Sequence, residues 1–162
     1  MKRTAWTFLI GIAGLALLAA ADSPSVLHFP LHGVSINALE APSGDSPTML
    51  LTMCLPVTDA FAPNVSVMAE PSAGSIDDYI ASSKKEYAKS NLTILNVNKL
   101  DADNVILEYS GPVENRKLHF YSKASHRGTE MIIATAICTE KQWADSGAKL
   151  RGCIDSLQRD SR

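Results

Sequence analysis

Histidines are the side chains in this sequence best suited to metal chemistry, and there are four: His28, His32, His119 and His126. If neighbouring strands and a turn brought His28, His32 and His119 together, their imidazoles would suit zinc or copper. His28 and His32 stand four residues apart, which shares a face only on a helix; Pro30 and Gly33 make this segment a strand and a turn. Isolated histidines are therefore the plainer expectation. Ser82-Ser83-Lys84-Lys85 contains a Ser-x-x-Lys string, in which an amine lowers the cost of deprotonating a serine. The Lys-Thr-Gly strand and second helical lobe that such a site needs are missing, so a solvated helix face accounts for the lysines. Asp101, Asp103 and Asn104 resemble part of a calcium loop without its downstream bidentate acid, and read as a turn. Asp77 and Asp78 belong to the first turn of a helix, where carboxylates meet the positive end of the dipole. No Gly-x-Ser-x-Gly elbow, Gly-x-Gly-x-x-Gly loop, phosphate-binding Gly-Lys-Ser/Thr or His-Glu-x-x-His occurs. The sequence thus points away from an enzyme, and no cofactor is expected.

Cysteine chemistry is the other option. Cys54, Cys138 and Cys153 allow one disulfide and one leftover thiol in an oxidising compartment, with three pairings open. Three reduced thiols behaving as small hydrophobes are the alternative. None has the Cys-x-x-Cys spacing of a redox or zinc site.

The compartment follows from the first 21 residues. Lys2 and Arg3 precede an apolar run from Trp6 to Ala21 that closes on Ala19-Ala20-Ala21, the pattern of a secretory signal cut after Ala21. The run is too short for a membrane anchor of about 20 unbroken apolar residues, and it meets Asp22-Ser23-Pro24 directly. No membrane span is expected after cleavage, and a periplasmic or secreted location is. The whole chain has 162 residues and a net charge of -2; losing Lys2 and Arg3 leaves 13 basic against 17 acidic side chains, a charge of -4. Such a chain would be repelled by nucleic-acid phosphates and anionic lipid.

The elements that must position these residues change period along the chain. Val26 to Phe29 and Val34 to Leu39 flank Pro30 and Gly33 as a hairpin. Ala41 to Pro47 reads as a loop, and Met49 to Leu55 as a continuously apolar strand covered on both faces. Asp59 to Asn64 breaks the pattern before a strand over Val65 to Ala69. Ser75 and Asp78 form a capping box that opens a helix ending near Ser90-Asn91. Strands then follow over Leu92 to Leu100, Val105 to Tyr109, Leu118 to Ser122 and Met131 to Cys138, with a loop at Gly111-Pro112 and a turn at Ser125 to Gly128. A second capping box, Thr139 with Gln142, opens a last helix whose stripe is Trp143, Gly147, Leu150, Ile154 and Leu157. The order predicts one α+β domain over residues 22 to 162, a mostly antiparallel sheet covered by helices.

A run of strands ending in Met131-Ile-Ile-Ala-Thr-Ala-Ile137, then Glu140-Lys-Gln-Trp143 and a helix with Ile154-Asp155-Ser156-Leu157, resembles the superfamily of PsbP, the Mog-type Ran-binding proteins and DcrB. Phe29-Pro30 and Ser75-Ile76-Asp77-Asp78-Tyr79 are similar to its opening half. Leu157 departs from the aromatic that usually follows the closing serine, and the family's opening Trp is missing. The resemblance implies an α/β/α sandwich and an accessory role, with no chemistry attached. The function expected is a non-enzymatic extracytoplasmic module that docks another envelope protein through Ala41 to Pro47 and Asp59 to Asn64, with Phe61 at the apolar tip. The alternative is a periplasmic metal or small-ligand binder.

Overall fold

A computed structural model of the chain describes residues 26–29, 33–37 and 47–158. The signal sequence, His32 and nearly all of the Ala41 to Pro47 loop lie outside these. The chain divides between Ala41 and Pro42 into two units. In the first, β1 (Val26–Phe29) pairs antiparallel with β2 (Val34–Asn37), and His28 lies opposite Ser35. Gly33 supplies the left-handed turn, with φ 63°.

The second unit holds β3 (Thr48–Cys54), β4 (Asn64–Pro71), α1 (Ile76–Lys89), β5 (Thr93–Lys99), β6 (Asn104–Val113), β7 (Arg116–Arg127), β8 (Glu130–Thr139) and α2 (Glu140–Asp155). Its six strands form one sheet in the order β3-β4-β8-β7-β6-β5, antiparallel at every step. The α+β class is therefore met. Both helices start where the capping boxes place them: the Ser75 hydroxyl accepts from the Asp78 amide, and the Thr139 hydroxyl accepts from the Gln142 amide.

Alternation along the strands feeds two cores. Val105, Leu107 and Tyr109 cluster with Ile76 at the start of α1 and with Phe120, Met131 and Ile133. The residue between them, Ile106, clusters instead with Tyr121, Ala134, Ala136 and Cys138, under Leu150 and Ile154 of α2.

Three expectations are corrected. Met49 to Leu55, read as doubly covered, forms most of the terminal strand β3, and its apolar side chains are exposed: Met49 at 59% and Leu50 at 54%, with Leu51 and Met53 beside them. A continuous apolar run marks a buried strand only when a second neighbour pairs with it, and among the described residues β3 has β4 alone. Gly111-Pro112 lies inside β6 rather than in a loop, paired with Leu118 and Lys117 of β7. The partnership with β5 stops at Ser110, so no second ladder asks Pro112 for the N–H it lacks. Gly111 is required there, because a Cβ would sit 2.7 Å from the Asn91 carbonyl oxygen. Finally, β7 continues through Arg127, and the turn shrinks to Gly128-Thr129, where Gly128 takes φ 64°.

Candidate functional site

Helix α2 meets the sheet differently along its two sides. On the side facing β6 and β7, His119 is 3% exposed. Its Nε2 lies 2.8 Å from Glu108 Oε1 and its Nδ1 3.4 Å from Glu140 Oε1. The Arg151 guanidinium donates to the same Glu108 oxygen. Trp143 stacks on the imidazole with ring centres 3.8 Å apart, and Arg151 lies over Trp143 at 4.9 Å and over Tyr121 at 5.4 Å. The Tyr121 hydroxyl donates to Asp155, and Lys123 Nζ donates to the carbonyl oxygens of Asp155 and Leu157. Gly147 makes room for the indole: a Cβ there would lie 3.0 Å from the Trp143 ring. Burial and the Asp155 hydrogen bond push the Tyr121 phenol up to about 12.

The front of α2 holds the loop before β4. Gln142 accepts from the Thr139 amide through Oε1 and donates through Nε2 to the Thr58 carbonyl and hydroxyl oxygens, both 2.7 Å, and to the Phe61 carbonyl at 3.1 Å. Between them, Asp59 and Ala60 turn with φ 51° and 57°. Arg116 donates to the Ala60 carbonyl, and Lys141 pairs with Asp59 at 2.9 Å. Phe61 itself is half-buried against the α1-side core, with the Arg116 guanidinium 5.6 Å over its ring. The segment read as a free loop with an apolar tip is therefore tied down at several points.

On its other side α2 faces β3 and β4 across an apolar cavity of about 180 Å³, lined by Met53, Leu55, Pro63, Val65, Leu150 and Cys153, with Lys149 beside them. Outward from this cavity runs the exposed face of β3. From Thr48 to Val57 no residue carries a charge, and Val57 is among the most exposed large apolar side chains of the described residues. A shift of register at Met49 to Leu51 bulges the strand against β4.

His28 lies on the hairpin, His32 lies outside the described residues, and His119 is enclosed by Glu108, Glu140 and Trp143. Among the described residues no group of three or more His, Cys, Asp or Glu is placed to hold a metal ion. Cys54 is exposed, Cys153 half-buried and Cys138 buried, and all three are free thiols. Burial, aided by the Glu140 charge, pushes the Cys138 thiol up to about 11. Asp101 closes its turn by accepting from the Asp103 amide and the Asn104 side chain. Asp78 caps α1, and its hydrogen bond from Ser75 lowers its carboxyl. The β3 flank and its cavity escaped notice in the sequence, although a charge-free run of ten residues was a signal for them.

No helix among the described residues is long and apolar enough to cross a membrane. No protein-family model and no curated protein matches the chain. Solved structures do: PA94, a Pseudomonas aeruginosa protein of unknown function, is 15% identical with a TM-score of 0.59, over 86% of this chain and 99% of that one. This likeness shows a shared fold. LpqN of Mycobacterium tuberculosis, a protein involved in cell envelope biogenesis, is 10% identical over 72% of this chain and 84% of its own, with a TM-score of 0.43. PsbP of Synechocystis sp. PCC 6803, from the superfamily the sequence resembles, is 15% identical over 92% of this chain and 95% of its own, with a TM-score of 0.44.

Proposed function

We propose that the chain is a non-enzymatic accessory module acting outside the cytoplasm, which binds another envelope protein through the β3 flank, and that its helices and sheet stack as an α/β/α sandwich. The observation that supports this most is the exposed, charge-free apolar strand at the sheet edge. Edge strands usually carry charge or proline against unwanted pairing, and an exposed apolar patch on a secreted domain marks a contact surface. The signal pattern of the first 21 residues supports the location. Phe61, half-buried in the neighbouring loop, is the candidate contact residue there.

Affinity capture of the tagged chain from cross-linked envelope fractions, followed by mass spectrometry, tests the reading. One partner in near-stoichiometric amount is expected, and Leu50→Lys should abolish its capture while thermal unfolding stays unchanged. Capture that survives both Leu50→Lys and Met49→Lys would remove the β3 flank from the proposal. The absence of any specific partner would remove the accessory role itself.

A further inference from the structure

We infer that the cavity between β3, β4 and α2 binds a single alkyl chain with an anionic head group, the head resting on Lys149. The site shares Met53 with the β3 flank but takes a small molecule, so its test does not depend on any protein docking there. Apart from Asn64 and Lys149 its lining is apolar, and two of its walls, Val65 and Leu150, are buried parts of the α2-side core that cannot easily retreat. The cavity opens to solvent beside Met53 and Cys54, so a chain can enter from the surface, and its apolar lining offers water few polar partners. At roughly 30 Å³ for each water-sized group, 180 Å³ accepts a chain of about six methylenes.

The head group follows from charge. Lys149 is exposed and, like Lys84, Lys85 and Lys117, enters no ion pair among the described residues, and of these four it is the one that lines the cavity. An ammonium group without a partner next to an apolar cavity complements a carboxylate or phosphate attached to an alkyl chain, whether a free fatty acid or a single-chain lipid fragment. The opposite side of α2, where Arg151 and Lys123 are already engaged, has no such vacancy for an anion.

Calorimetric titration of the full-length chain with straight-chain carboxylates from butanoate to decanoate, below their micellar concentrations, tests this. Each methylene that enters the cavity should tighten Kd about fourfold, with a plateau after about six. Lys149→Gln should weaken the carboxylates about two- to fivefold and leave the matching alkanols unchanged. Cys153→Phe should fill the cavity and abolish both series, with circular dichroism reporting the fold. Met53→Trp closes the cavity from the exposed strand and keeps the test valid if the helix variant does not fold. An affinity that ignores chain length, binding that survives both occluding variants, or equal weakening of carboxylates and alkanols by Lys149→Gln would each overturn the inference. Phosphate-headed single-chain lipids run in parallel distinguish the two sources of the anion.

Discussion

The two sides of α2 contrast in how they spend their polar groups. Toward β6 and β7 the helix is fastened by an aromatic stack and by one carboxylate, Glu108, that serves both His119 and Arg151. Toward β3 and β4 it packs Leu150 and Ile154 with Val65 and leaves a cavity. Fastening concentrated on one side lets the other stay open without loosening the helix. Polar groups held in fixed geometry contribute specificity of placement, while uncharged apolar surface is free to accept a partner.

Removing the shared carboxylate should break the contrast most severely. Glu108→Ala leaves the buried His119 without its closest partner and takes the carboxylate from the half-exposed Arg151, at a cost of about 1–3 kcal/mol, seen as a lower urea midpoint; Glu108→Gln should recover part of it. Gly147→Ala comes next. Its Cβ would lie 3.0 Å from the Trp143 ring, which is stacked on His119 and must give by a few tenths of an ångström, and overpacking of about 1–3 kcal/mol outweighs the gain in helix propensity of about 1 kcal/mol. Thermal unfolding reads that difference, and a stabilised variant would show that the stack is loose.

The buried thiol sharpens the comparison by pH. Because Cys138 is raised from 9.0 to about 11, the folded state holds its proton more tightly than the unfolded state. Its stabilisation is full below about pH 9 and is lost as pH rises toward about 11. Cys138→Ala should flatten stability over that window, and maleimide should label Cys54 at once but Cys138 only on unfolding. The smallest effect belongs to the open side: Leu50→Lys should shift stability by no more than about 0.5 kcal/mol. A larger loss would mean that β3 is covered in solution.

Local chemistry was legible in the sequence. Both capping boxes and the β1–β2 hairpin rest on residues within a few positions of each other, and so does Met131 to Cys138 as a central strand. What failed depended on neighbours. Whether Met49 to Leu55 is buried depends on how many strands flank it, and whether Pro112 fits a strand depends on where β5 ends. The His119 cluster was illegible for the same reason: Glu108, Glu140, Trp143 and Arg151 reach it only through sheet register and the return of α2. The setting of Phe61 at the loop's apolar tip depends likewise on Gln142 and Arg116, both distant in sequence.

Sheet order also sets a schedule. β5, β6, β7 and β8 join neighbour to neighbour through short turns, so their loops close at little entropic cost. The ribbon of β3 and β4 reaches β8 only by pairing Asn64 with Ile137 and Pro71 with Glu130, across the whole intervening meander. Non-local pairings of that kind are slow to form. In refolding the meander with α2 therefore assembles first and the ribbon zips on last, so amides of β3 should gain protection from hydrogen exchange after those of β7.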